Sequence, residues 1–164
     1  MKGMVVSRVK IADWAVLKGR GVLTTIGLGS CVGVVLYDYR SRVGGLAHIL
    51  LHDSRDFPNK SKPFNPAKYA DTAIPLLVRE IENIGGNKER LRAKIAGGSQ
   101  LFKNQKVRES VGEKNLRLVR QVLEKHGIPI IGEDVGGNYG RTLHFYVDTG
   151  KTIVSTVGRG EKEI

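Results

Sequence analysis

One thiol and a histidine seventeen positions downstream are the residues of this chain best suited to covalent chemistry. They are Cys31, in Thr25-Ile26-Gly27-Leu28-Gly29-Ser30-Cys31, and His48, in an apolar glycine-rich run. The thiolate, not the thiol, attacks carbonyl carbon. A free cysteine titrates at about 8.5, and an adjacent imidazole or an oriented backbone dipole lowers that value. Glycines beside the thiol let backbone N–H groups come close to a reacting oxygen. Composition alone also allows a plainer reading, in which a lone Cys is a small core hydrophobe and a His in an apolar stretch is a satisfied core side chain.

The elements that carry the two residues bear on this choice. Residues 31–37, a polar turn over 38–42 and residues 43–50 form an expected β-hairpin, and its continuous apolarity implies burial on both faces. Directly opposed residues of an antiparallel pair have a constant sum of residue numbers and share a face of the sheet; for Cys31 and His48 the sum is 79. A register at that sum opposes them directly. One two higher makes them diagonal neighbours within side-chain reach, and an even sum puts them on opposite faces.

Around the hairpin, residues 5–11 and 21–26 read as strands, with a turn at Lys18-Gly19-Arg20-Gly21. Residues 52–66 are polar and proline-rich and read as a loop, first an ordinary connection between strand and helix and, as the alternative, part of the rim of a site at His48. Asn65-Pro66 has the order of an N-cap and a first-turn proline. Tyr69, Ala73, Leu76, Leu77, Ile81 and Ile84 then recur at helical spacing until Gly85-Gly86, and Pro75 predicts a kink or break. Residues 92–96 read as a strand. A second helix runs from about Asn115 to His126, with Gly127 as C-cap, and a partly charged His126 there complements the helix dipole. Strands return at 128–135, 141–147 and 151–157, with Asp148-Thr149-Gly150 as a three-residue hairpin turn. The order points to the α+β class, in one domain over residues 1–164.

Lys+Arg 27 against Asp+Glu 16 gives a net charge of +11, which permits nucleic acid, a membrane surface or an acidic protein as partner. The basic residues are scattered and no base-stacking aromatics are interleaved with them, so a solvated basic surface is favoured and no nucleic-acid site is expected. One cysteine allows no intramolecular disulfide, no signal-peptide pattern opens the chain, and no apolar run nears the roughly twenty residues that span a bilayer. A soluble, cytoplasmic protein without membrane insertion is the expectation. Val32 stands where a dinucleotide fingerprint needs its third glycine, and one Cys with dispersed His52, His126 and His144 matches no zinc spacing. Neither a metal nor a cofactor is expected.

Several motifs then occur in order: Thr25-x-Gly27-Leu28-Gly29-Ser30-Cys31, Ala47-His48-Ile49-Leu50, Lys68-Tyr69-Ala70-Asp71-Thr72-Ala73, Lys94-Ile95-Ala96-Gly97-Gly98, Gly112-x-x-Asn115 and Glu133-Asp134-x-Gly136-Gly137. Together they resemble the chemoreceptor glutamine deamidase family, CheD, from about residue 5 to residue 160. The resemblance implies mixed or antiparallel β-sheets packed together with flanking helices, similar to cytotoxic-necrotizing-factor-type cysteine hydrolases. It implies a Cys-His-Thr triad that converts selected glutamines of methyl-accepting chemoreceptors to glutamates: Cys31 as nucleophile, His48 as base, Thr25 orienting the imidazole. Backbone amides of the Gly29-Ser30-Cys31 turn are the oxyanion-hole candidates. The partners it implies are chemoreceptor cytoplasmic helices as substrate and CheC, a response-regulator phosphatase whose binding occludes the deamidase. Gly98, Ser99 and Phe102 are candidate partner or substrate-surface positions, in a run that departs from the small and Met-containing residues usual there. The alternatives are a binding regulator of receptors and CheC without catalysis and, further off, a basic nucleic-acid module.

Overall fold

The computed structural model describes residues 4–58, 63–102 and 108–164, so residues 59–62 of the expected loop lie outside the described residues. Among the described residues the chain order is β1 (Val5–Arg8), β2 (Trp14–Lys18), β3 (Gly21–Leu28), β4 (Val32–Asp38), β5 (Val43–Ile49), α1 (Ala70–Asn83), β6 (Arg92–Gly97), α2 (Val111–Lys125), β7 (Ile130–Val135), β8 (Arg141–Tyr146), β9 (Thr152–Thr156) and β10 (Gly160–Glu163). The strands form two five-stranded mixed sheets, ordered β1-β3-β8-β9-β10 and β2-β5-β4-β6-β7; β1/β3 and β6/β7 are the parallel pairs.

Every residue of β4 and β5 is buried, because this hairpin is the middle of three layers. Val32, Val34 and Leu36 of β4, with Val43, Ala47 and Ile49 of β5, pack beneath α1 and α2. Val35, Tyr37 and Leu46 point the other way, into Leu23, Leu143 and Phe145 of the second sheet. The architecture is therefore α+β, two packed sheets with both helices on one outer face.

Register decides which face the thiol and the histidine share. Gly33 pairs with His48 and Val32 with Ile49, a sum of 81, so Cys31, immediately before β4, is diagonal to His48 on the inter-sheet face. A bulge in β3 makes the complementary adjustment in the other sheet. Thr25 pairs with Leu143 but Leu28 pairs with Arg141, and the extra residue turns Ile26 and Gly27 outward while Thr25 and Leu28 both face in. Gly27 adopts φ 79° at the bulge.

Several expected boundaries are corrected. Strand β1 ends at Arg8, and β2 was not foreseen; its Trp14-Ala15-Val16-Leu17 run is half-buried throughout and shows no alternation. Strand β10 is wholly exposed and carries no apolar signal. Asn65 caps a single 3-10 turn, Pro66–Lys68, its Oδ1 accepting from Ala67 N–H at 3.0 Å, and α1 begins only at Ala70 after extended Tyr69. The helix continues through Pro75: buried Ile74, Leu77, Val78 and Ile81 outweigh one lost backbone bond. Helix α2 starts four residues earlier than expected, where Ser110 Oγ accepts from Glu113 N–H at 3.2 Å. His126 does close α2, but burial, with Lys88 and Lys125 nearby, lowers its pKa, against the charged form expected at a helix C-terminus.

Phe145 is fully buried between the sheets and packs edge-on against Tyr37, ring centroids 5.4 Å apart. Phe145→Ala is expected to cost about 3–5 kcal/mol in urea unfolding, at unchanged m-value. A loss below about 1 kcal/mol would mean that the two sheets close over the cavity.

Candidate active site

Both sheets contribute to the surroundings of the thiol. Cys31 is buried on the inter-sheet face, at the end of the turn that enters β4. His48, on β5, is fully buried on the same face. Across the inter-sheet layer, Thr25 of β3 brings Oγ1 to 2.6 Å from His48 Nδ1. The crossing from β1 to β2, residues 9–13, passes from one sheet to the other and bonds both residues. Val9 O accepts from the Thr25 hydroxyl at 2.7 Å, His48 N–H donates to Asp13 O at 3.0 Å, and Ala12 N–H donates to His48 O at 2.9 Å. Ala12 takes φ 60° to make that crossing.

These bonds fix the tautomer of the imidazole. Thr25 has one hydroxyl proton, and with that proton on Val9 O its oxygen accepts from the ring. Nδ1 therefore carries the ring proton and Nε2 holds the lone pair. Nε2 is buried and has no hydrogen-bond partner among the described residues. Burial pushes His48 down to about 4. It pushes the Cys31 thiol up, with the residue's own backbone N–H opposing. Both groups thus rest neutral at pH 7, a thiol beside an imidazole in the tautomer that accepts a proton on Nε2.

The turn that carries the thiol is held from two sides. Gly98 N–H donates to Cys31 O and Ser99 N–H to Gly29 O, both at 2.8 Å. Gly97, at φ 111°, has no room for a Cβ against the Cys31 carbonyl. Gly29 N–H is used within the turn, donating to Gly27 O at 3.0 Å, which removes Gly29 from the oxyanion-hole candidates and leaves the N–H groups of Ser30 and Cys31. Of the expected surface positions, Ser99 is fully buried: its hydroxyl donates to Tyr139 O at 2.7 Å and accepts from Arg141 Nη1 at 2.7 Å. Gly98 is buried against Leu116. Only Phe102 is a surface residue, 84% exposed, on a groove of about 280 Å³ that starts at Ser30 and is lined also by Leu101, Val111 and Lys114.

Arg141 and Asn115, both buried polar residues near this turn, have no role assigned from the sequence. Arg141 reaches Ser99 and lies 3.4 Å from Asp134, tying β8 to β7 behind the Gly97-Gly98 turn; nothing in its sequence context announces this. Asn115 donates through Nδ2 to Ser30 O at 2.9 Å and to Leu50 O at 3.1 Å. Its signal was a polar residue on the apolar stripe that continues through Leu118, Val119 and Val122.

Comparison with known proteins identifies the family of the chain. The family model CheD, described as CheD chemotactic sensory transduction, matches residues 50–156. The chain is 48% identical over 159 residues to a protein of Caldanaerobacter subterraneus subsp. tengcongensis, covering 96% of each chain. It is 46% identical over 165 residues to one of Desulforamulus reducens, covering 99% of this chain and 98% of that one. Both relatives are named probable chemoreceptor glutamine deamidase CheD. Among solved structures, the crystal structure of Neisseria meningitidis protein NMB0706, of family-model DUF152, has a TM-score of 0.49 at 15% identity over 83% of this chain, which spans 64% of that one.

The lowered pKa of His48 makes stability depend on pH. As pH falls, the unfolded chain takes up this proton first, near 6.5, so stability is highest above that value and declines towards about 4. The full decline is about 3 kcal/mol. Urea midpoints of the wild type are expected to drop between pH 7 and pH 4.5, with a clearly smaller drop in His48→Gln. Equal drops in both proteins would assign the effect to other groups.

Proposed function

The chain belongs to the CheD family of chemotactic sensory transduction proteins, and on that premise we propose that it deamidates selected glutamines in the cytoplasmic helices of chemoreceptors, with Cys31 as nucleophile, His48 as base and Thr25 holding the imidazole. The observation that carries this reading is the directed run of hydrogen bonds from His48 Nδ1–H to Thr25 Oγ1 and from Thr25 O–H to Val9 O, which leaves the Nε2 lone pair on the face of the sheet that also carries Cys31. A core histidine with no chemical task has no need of a buried nitrogen without a partner.

In the proposed reaction the thiol proton moves to His48 Nε2 as sulfur bonds to the carboxamide carbon of glutamine. The C=O electron pair moves onto oxygen. That oxyanion collapses, the C–N bond breaks, and Nε2–H protonates the departing nitrogen to give ammonia and a thioester. His48 then takes a proton from water, the hydroxide attacks the thioester carbon, and the C–S bond breaks. The thiolate recovers the proton from Nε2, and glutamate is released. The transient imidazolium keeps its Nδ1–H bond to Thr25 throughout. Among the described residues no helix is long and apolar enough to cross a membrane, in keeping with a cytoplasmic enzyme that acts on the cytoplasmic part of a receptor. CheC is the proposed regulatory partner, and the exposed pair Leu101 and Phe102 beside Ser30 supports a contact that would cover the site.

Mass spectrometry of a folded receptor cytoplasmic fragment is expected to show glutamine-to-glutamate conversion by the wild type and none by Cys31→Ala. Conversion by both would dismiss the nucleophile, and conversion by neither would leave a binding role. Thr25→Val, which deletes the acceptor at Nδ1, is expected to lower kcat roughly 100-fold; an unchanged kcat would remove Thr25 from the triad. Phe102→Ala is expected to weaken CheC binding about tenfold or more while deamidation persists, as read by titration calorimetry.

A further inference from the structure

Helix α2 approaches the nucleophile turn at two residues one helical turn apart. Gly112 lets the helix backbone sit directly on the Gly98 and Ser99 carbonyls, where any Cβ would clash. Asn115, fully buried, then extends one amide group across the place where the β4/β5 ladder stops. Both Nδ2 protons are used, one on Ser30 O and one on Leu50 O. Among the described residues Oδ1 is buried without a partner, and the hydrogen bonds that hold the carboxamide are those of its donors.

The Ser30–Cys31 peptide unit is planar and trans, which sets its C=O and N–H antiparallel. A carbonyl drawn towards α2 therefore aims the Cys31 N–H away from the helix layer and into the inter-sheet space, where the sulfur and His48 lie. We propose that Asn115 is a positioning residue for the oxyanion hole: by gripping the Ser30 carbonyl it aims the Cys31 N–H at the oxygen of the tetrahedral intermediate. Its second bond, to Leu50 O, ties that peptide to the strand that carries His48. The inference rests on the deamidase reading above, because only acyl chemistry at Cys31 develops an oxyanion.

Two reactions of the same sulfur separate this role from general support of the fold. Deamidation passes through an oxyanion; alkylation by iodoacetamide, a displacement at saturated carbon, does not, although both need the thiolate. Asn115→Asp keeps the shape and removes the donors. It is expected to lower kcat about 100-fold with KM and the alkylation rate of Cys31 each within about threefold of wild type. Asn115→Ser, which keeps one donor, is expected to fall between the two and serves if the aspartate variant does not fold. A kcat within threefold of wild type in the aspartate variant would overturn the proposal. So would alkylation that falls in step with deamidation, or failure of both variants to fold, since each assigns Asn115 a structural role. A wild type that alkylates at Cys31 but converts no receptor glutamine sinks the deamidase reading itself, and is seen before any variant is compared.

Discussion

Thr25 has a single hydroxyl proton, and the site depends on its going to the carbonyl of Val9. With the proton there, the hydroxyl oxygen is an acceptor, the imidazole must donate from Nδ1, and the lone pair of His48 is fixed on Nε2. The constraint extends well beyond three residues. Thr25 and His48 belong to different sheets, so the 2.6 Å contact requires the sheets to pack at one separation, with Thr25 facing inward two residues after Leu23. Val9 accepts the proton because residues 9–13 carry the chain from β1 to β2 at this point. Sheet packing and crossover thus act together in setting one ring nitrogen's protonation.

Burial supplies the second condition. A His48 in water would be partly charged near neutrality, whereas here its pKa falls to about 4 and the ring rests neutral. The thiol beside it is held protonated by the same exclusion of water. The site therefore stores no ion pair in its resting state. On the proposed reaction, charge separates as the thiol gives its proton to Nε2 and sulfur bonds to the carbonyl carbon. On that reading, the base needs the free lone pair that Nε2 keeps, without a hydrogen-bond partner among the described residues.

Much of this was legible in the sequence, for identifiable reasons. The apolarity of residues 31–37 and 43–50 announced a strand pair buried on both faces, and arithmetic on residue numbers reduced the question of whether Cys31 and His48 share a face to an odd or even register; the observed sum is odd. Motif order carried the family, and with it the fold. What escaped was information that single residues do not hold. Strand β2 packs at an edge where Trp14, Ala15, Val16 and Leu17 are all half-buried, so its sequence has no period. The break at Tyr69 arises where Leu51 bridges to it, a tertiary event that overrides a sound local capping signal at Asn65-Pro66. Gly29 looked like a donor because glycine frees its backbone, but the freedom is used to close the turn on Gly27. Ser99 is a contact candidate on the family resemblance, which carries no burial, and here its hydroxyl seats a buried arginine.

The depth of the thiol has a consequence for what can reach it. Cys31 is 6% exposed on the inter-sheet face, and its neighbour Ser30 lines the surface groove. A glutamine on the outer face of a helix holds its carboxamide on a slender, unbranched stalk, whereas a main-chain amide is flanked by chain on both sides. On the proposed reaction, a buried sulfur favours an amide presented on such a stalk.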